Sequence, residues 1–512
     1  MSRRHPADLR AALAALDLMP GELVRVREEV PARFGVSSHY ARWAGAPAAP
    51  PTGPGPAVLF ERVTPPGGAA GDAQEAGAVL MGLYGTRRRA AALLGATPAE
   101  LAHRLLDAVA APLPPVPAAD PGRWVRSDRK PDLTALPVPV LTEEDAGPYL
   151  TLGAVLATDP ATGVRNLSIH RMCVQGPDLL TIWMVPGRDL ELAHRSALAA
   201  GRPLPVAIHL GLGPAVLLAS CCPTSLVPTG TDELAVAGAL GGAPVELLPC
   251  RTVDAECIAH AEYVLEGELL PDTMPENPRG TAATPEFLGY QGTAHPALPT
   301  VRITGITARP GPILQAVSGP GHEQSVLLGF GMEAAVLAAL RRRGTPVRAV
   351  HCHTAGGGQL MVVLQWAAKR TAADDARVRE ASQAVLEEFR MAKLVVSVDE
   401  DVDLESDQDL WWAMVTRWQA DRDLLVLPDR EGFPLDPSQS VAYSPALSAD
   451  GRTAKAVFDC TVPYAQRHRF RRARCRRSPM LRSGSLLRLA MHAPQRRPAR
   501  PPGGRRGFED RP

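Results

Sequence analysis

The segment RNLSIHRM (165–172) brings together an amide, a hydroxyl, an imidazole and a guanidinium: Asn166, Ser168, His170 and Arg171. It lies between a turn signal, DPATG, and the apolar run LLTIWMV. Such a run is expected to be a buried strand, where each unpartnered polar group costs roughly 1–3 kcal/mol. Four polar groups in a row therefore call for a neighbour that uses them. Asn166 and Arg171 are five residues apart and fall on opposite faces of a regular strand. The backbone is expected to bend or end between them.

Other chemistry-bearing patterns exclude more than they offer. GFGMEA and AGGGQL contain glycines, but neither completes GxGxxG between a strand and a helix, so a dinucleotide fingerprint is lacking. GxxxxGK[ST] does not occur. In His351-Cys352-His353, alternation along a strand puts the two imidazoles on one face and the thiol on the other, which favours a structural role over a metal site. HEQS (322–325) lacks the second histidine of a zinc-protease helix. The eight cysteines (173, 221, 222, 250, 257, 352, 460 and 475) form no CxxC pair and read as buried free thiols in a reducing cytoplasm.

The elements that must position these groups follow from length and patterning. A chain of 512 residues exceeds a single core. Its 45% hydrophobic and 21% charged residues are ordinary for a globular protein. The net charge of +1 hides an asymmetry. From Arg469 onward there are 14 Arg against Glu509 and Asp510, a tail of +12, which leaves −11 on the rest and argues against a nucleic-acid-binding body. The N-terminal DLRAALAALDL reads as an amphipathic helix and not as a signal peptide. No run of ~18 uninterrupted apolar residues suggests a membrane span.

The chain divides into four sections. Residues 1–115 mix helices at 6–18, 75–94 and 98–110 with a strand at 57–63, forming an α/β domain. Residues 116–310 turn to short, closely spaced β-like runs, among them GAVLAT, LPVAIHL and TVRITGITA, expected as a β-rich barrel or sandwich. Residues 311–465 alternate helices and strands as a second α/β domain. Residues 466–512 have an Arg/Pro/Gly-rich composition without apolar period and are expected to be disordered. The fold class is α+β.

Several longer motifs, in order, resemble the UbiD family of reversible decarboxylases, which use prenylated FMN. They are ATDPATGVRNLSIHRM, TGTDELAVAGALGGAPVELLPC, AEYVLEGELLP and MAKLVVSVDEDVDLESDQDLWWAMVTRWQADRDLLVLP, and the resemblance spans roughly 5–472. It implies that the central section is a split barrel of the flavin-reductase type and that the third section mediates oligomerisation. It further implies a divalent metal, Mn2+ or Mg2+, and K+ tying the cofactor phosphate to the protein.

The resemblance also carries over site residues. Asn166 would ligate the metal, and Arg171 would contact flavin and substrate carboxylate. Leu167, Ser168, Ile169 and His170 between them would line the cofactor, with Arg188 further along. Where the family has a histidine, this chain has Asp189, a competent oxygen ligand; its competing role is to start the helix DLELAHRSALAA as an N-cap, with His194 as a possible substitute ligand. Glu233 would be the third ligand. Ser220 and Cys222 match the segment whose backbone carbonyls contact K+, and Lys393 matches the lysine that reaches the phosphate. In PENPRGTAATPEFLGYQG, Glu276 matches the first of two family glutamates; Thr281 stands where the second would be, and anchoring on the next GY gives that role to Glu286, with TAAT looped out. Glu262, Glu266 and Glu268 are assigned to strand structure.

The expected activity is non-oxidative, reversible decarboxylation of an α,β-unsaturated, aromatic or heteroaromatic acid, with CO2 as the second product. A separate flavin prenyltransferase would supply the cofactor. No nucleic acid and no membrane partner is expected, and the protein is read as a cytoplasmic homo-oligomer, dimer or hexamer. Two alternatives stand beside this reading: a diverged flavin-binding paralogue without turnover, and a plain FMN or NAD(P) oxidoreductase.

Overall fold

The structure is a computed structural model that describes residues 5–44, 53–66, 76–124, 126–227, 230–319, 321–433 and 435–473. Contacts separate the chain after Tyr464. The expectation of a disordered tail falls almost wholly outside the described residues.

The first section opens with the helix Leu9–Asp17, started by Asp8, whose side chain accepts from Ala11 N at 2.8 Å. A four-stranded sheet orders Leu23–Pro31, Ala57–Thr64, Gly77–Met81 and Ile313–Gln315. The stretch 75–94, expected as one helix, is instead the strand Gly77–Met81 and the helix Arg87–Leu93. Gly82 takes φ +77 and turns the chain between them, and Thr86 starts the helix by accepting from Arg89 N. Leu23–Pro31 carries charged residues in its interior and was not expected as a strand; its outer faces are exposed, so those charges stay solvated. The boundary expected at 311 does not separate the sheets. Ile313–Gln315 returns to pair in parallel with Gly77–Met81.

The central section is a closed barrel. Tyr263–Met274, Leu204–Leu210, Tyr149–Thr158, Arg165–Val174, Leu179–Ile182 and Leu298–Ala308 follow one another around it, all antiparallel, and the last pairs back to the first. Alternation sorts the side chains. Val155, Val206, Ile208, Leu265 and Ile303 share one core with the first sheet. Ala154, Leu156, Ala207 and Val264 join a second core built around the helices.

The third section is a five-stranded sheet in the order Val347–Cys352, Met361–Trp366, Leu394–Val398, Arg452–Cys460, Leu424–Glu431. The helix His322–Arg342 connects it to the barrel. This helix is apolar and long enough to cross a membrane, but most of it is buried inside the protein as a core helix. The histidines of the HCH triplet are committed to structure: His351 Nδ1 lies 3.2 Å from Glu333 and His353 Nε2 3.0 Å from Asp407. Glu262 binds Arg10 and Arg309, and Glu266 accepts from the backbone of Arg251 and Thr252, so both serve strand packing.

Candidate active site

The strand Arg165–Val174 runs unbroken through the polar segment. The bend expected there is absent because its neighbour absorbs the irregularity. Leu150 pairs with Met172 and Gly153 with His170, which leaves two residues, Thr151 and Leu152, opposite Arg171. That is a β-bulge, a device that re-aims side chains beside functional sites. Asn166, Ser168 and His170 therefore share one face, linked through the Ser168 hydroxyl, while Arg171 projects from the other. Residues 166–171 all border one cavity of about 660 Å³, a volume within the usual ligand range.

Arg171 is held between two carboxylates. Its Nη2 donates to Glu276 Oε2 at 3.1 Å and its Nη1 to Glu286 Oε1 at 3.2 Å. Its Nε is buried and unpartnered among the described residues. The two glutamates occupy different environments. Glu276, 1% exposed, sits behind the arginine, where Tyr149 Oη donates to its Oε1 at 3.1 Å and His295 N to its Oε2 at 3.1 Å. It does not border the cavity; Glu286 does. Residues 281–284, expected to loop out, instead contain a short strand: Ala282–Ala283 pairs with Gly292–Thr293 in a small hairpin. Glu286 lies in its connecting turn, closed by Glu286 N donating to Tyr290 O and Gly289 N to Glu286 O, each 2.9 Å. Thr281 is exposed at the base of the hairpin.

A second cluster gathers Asn166, Asp189 and Glu233 on the same cavity. Glu233 opens the helix Glu233–Gly241 and accepts from Asn166 Nδ2 at 3.3 Å and Leu167 N at 2.9 Å. Burial pushes its carboxyl up to about 7, and the charges of Asp189 and Asp232 push the same way. Asp189 is the first residue of the helix Asp189–Ala199, one place beyond the N-cap Arg188, so the capping role expected as its alternative is not the one it plays. His194 does not substitute for it; its Nε2 donates to the Leu270 carbonyl oxygen at 3.0 Å, and the residue does not border the cavity.

The hydroxyl of Ser168 has one proton and two acceptors, Asn166 Oδ1 and His170 Nε2, each at 2.8 Å. His170 Nδ1 faces the Trp183 carbonyl at 2.9 Å and must donate to it, and burial lowers the imidazole to about 4, so Nε2 is an acceptor. One acceptor is therefore always left without a donor. A buried carboxylate raised by the charge of a second one, with the Asn166 amide hydrogen-bonded to it on the same cavity wall, fits a hard divalent cation bound by oxygen.

The remaining expected residues divide. Arg188, exposed, donates to Thr224 Oγ1 at 2.6 Å and borders the cavity, as do Ser220 and Cys222 beyond the helix Pro214–Ala219. Lys393 is not brought there. Its ammonium is tied to Asp436 at 2.6 Å and Ser438 at 2.7 Å. The carboxylate arrives from after Leu424–Glu431, a distant segment that the local pattern around Lys393 does not reveal. Sequence reasoning also passed over Tyr149, His295 and Trp183. The rings of Trp183 and His295 stack at 4.0 Å. These residues come from separate segments and carry no motif.

The comparisons with known proteins agree from residue 18 to residue 460. The N-terminal, Rift-related and C-terminal domains of 3-octaprenyl-4-hydroxybenzoate carboxy-lyase match residues 18–109, 118–322 and 325–460. A gallate decarboxylase of Lactiplantibacillus plantarum is 34% identical over 483 residues, covering 91% of this chain and 96% of its own. Among solved structures, an apo 3,4-dihydroxybenzoic acid decarboxylase from Enterobacter cloacae superposes with a TM-score of 0.85 at 38% identity, covering 93% of this chain and 98% of its own. The UbiD-class enzyme HmfF from Pelotomaculum thermopropionicum, in complex with FMN, gives a TM-score of 0.79 at 33% identity, covering 95% and 100%.

Proposed function

Because this chain belongs to the UbiD family of carboxy-lyases, we propose that it removes CO2 from an aromatic carboxylic acid without net oxidation, using prenylated FMN bound in the cavity beside Arg171. The observation that carries this reading is the arginine held between Glu276 and Glu286, with only the latter at the cavity surface. HmfF has been solved with FMN and, in an evolved dimeric form, with prenylated FMN. When bound, the cofactor supplies an electron sink for the pair released as the carbon–carboxylate bond breaks.

The chain's own groups do the rest. Arg171 is pre-oriented by Glu276, which Tyr149 and His295 N fix in turn, so its guanidinium is held at the cavity wall as the positive charge that would meet a substrate carboxylate. Glu286 reaches the same guanidinium from the hairpin turn and delivers a proton to the carbon that has lost CO2, then takes one back from solvent. Trp183, Leu327, Leu328 and Met332 provide apolar wall, which keeps bulk water from the reacting carbon. Asn166, Asp189 and Glu233 would hold Mn2+ or Mg2+. Carbonyls around Ser220 and Cys222, at a helix C-terminus short of internal donors, would contact K+. Arg188 would bind the cofactor phosphate. We assign the protein to the cytoplasm as a homo-oligomer.

Co-expression with a flavin prenyltransferase, mass determination of the bound cofactor and CO2 release from a panel of aromatic acids test the reading. Prenylated FMN and CO2 from at least one acid are expected; a loaded protein inert to every acid would refute it.

A further inference from the structure

The helix His322–Arg342 turns one stripe toward the cavity: Gln324, Leu327, Leu328 and Met332. Spacings of three and four place them on one face. Three are apolar and need nothing more. Gln324 differs, because its Oε1 is buried and accepts no hydrogen bond among the described residues. An unmet buried acceptor costs roughly 1–3 kcal/mol, a loss that a bound donor removes.

The seat of this side chain is built. Gly319, also on the cavity wall, leaves the room: a Cβ there would stand 2.3 Å from Gln324 Oε1 and 2.9 Å from its Cδ. The packing also places Gln324 relative to the acid. Gly358 lies against the same helical turn, where a Cβ would fall 2.0 Å from Ser325 O, and Gly357 lies under Phe287, where a Cβ would come 2.5 Å from the ring. Phe287 follows Glu286 in the hairpin turn. Gln359 Nε2, donating to Leu328 O at 3.4 Å, closes the wall between them. Gln324, Gln359 and the Glu286 hairpin thus border one cavity, with the glycine pair packed against the helix and hairpin beside it.

We propose that Gln324 is a specificity-determining residue that hydrogen-bonds a ring hydroxyl of an aromatic acid, away from the carboxylate held by Arg171. This rests on the decarboxylase reading above. A carboxamide offers an acceptor and a donor end, exchanged by a half-turn of its terminal torsion, and a phenolic hydroxyl can meet either. A second carboxylate only accepts and would leave Oε1 unmet. Sites built to hydrogen-bond a substrate hydroxyl discriminate strongly against analogues that lack it.

The test uses the flavin-loaded full chain and calorimetric affinities for 3,4-dihydroxybenzoate and benzoate. Wild type should prefer the hydroxylated acid by at least ~10-fold, equivalent to one hydrogen bond of ordinary net strength. Gln324→Leu should bring the two affinities within about twofold while flavin content stays at the wild-type level. Gly319→Ala, whose new Cβ displaces the carboxamide, should move the ratio in the same direction. A preference that survives in Gln324→Leu overturns the assignment, as does loss of flavin from that variant, which would give the amide to the cofactor. Preference without CO2 release in wild type would sink the decarboxylase reading and leave Gln324 standing; CO2 release without preference would sink Gln324 alone.

Discussion

Glu286 Oε1 lies 3.2 Å from Arg171 Nη1 although 115 residues of sequence separate them. Of the two carboxylates on that guanidinium, it is the one that meets the cavity. Proton delivery to carbon needs a titratable group within hydrogen-bond reach, and an exposed threonine hydroxyl at the hairpin base meets neither condition. Glu286→Gln is expected to retain the flavin and lose at least ~100-fold in kcat, the usual scale of general acid catalysis. Thr281→Ala should be nearly silent. An active Glu286→Gln enzyme would move the acid elsewhere.

Glu276 acts from behind the arginine, so its substitution should look different. Removing its charge leaves the mostly buried Arg171 with one carboxylate, a change that costs about 3–5 kcal/mol when a buried pair is broken. Glu276→Gln should therefore lower Tm as well as kcat, whereas Glu286→Gln, on the cavity surface, should leave Tm close to wild type. Tyr149→Phe, losing one 3.1 Å hydrogen bond to Glu276, should reproduce the Glu276 phenotype in milder form. Equal Tm losses in both glutamate variants would contradict this division.

The Asn166, Asp189 and Glu233 cluster predicts metal content. Asp189→Ala should reduce bound Mn2+ measured by elemental analysis and weaken flavin retention, and Asp189→His should restore both, since imidazole is also a competent ligand. Asn166→Ala should fail in the same way. Full Mn2+ occupancy in Asp189→Ala would remove that carboxylate from the site.

Glu323 predicts a pH dependence of stability. Burial raises its carboxyl to about 7 from the ordinary 4.5, against the hydrogen bonds from Tyr84 N at 2.9 Å and Gly82 N at 2.7 Å and the charge of Arg89. The folded state holds this proton more tightly than the unfolded chain. The stability it confers is complete below the unfolded value and is lost as pH rises through about 7, on the order of 3 kcal/mol at most. Thermal unfolding followed from acid to mildly alkaline pH should show wild type losing ground to Glu323→Gln across that window. Parallel Tm curves would show that the group does not titrate there.

Residue type and order determined a great deal by themselves. Period-two apolar runs such as LPVAIHL can bury one face only by pairing, so the β-rich centre was legible. The polar residues of RNLSIHRM marked a site because a buried strand does not carry them idle. The pairing of Glu286 with Arg171, in contrast, depended on a hairpin whose two-residue arms have no periodicity to read. The straight course of Arg165–Val174 depended on a bulge in its neighbour, a property of register between strands. Lys393 shows the same limit: a lysine before a buried strand can reach a phosphate or an aspartate equally well, and nothing local to it reveals that the chain returns to bring Asp436 within 2.6 Å. Hydrophobic pattern is local and the chain carries it at every step; the partner of a buried charge is set by closure of the fold, where the low dielectric makes each unpaired group expensive and the nearest opposite charge wins.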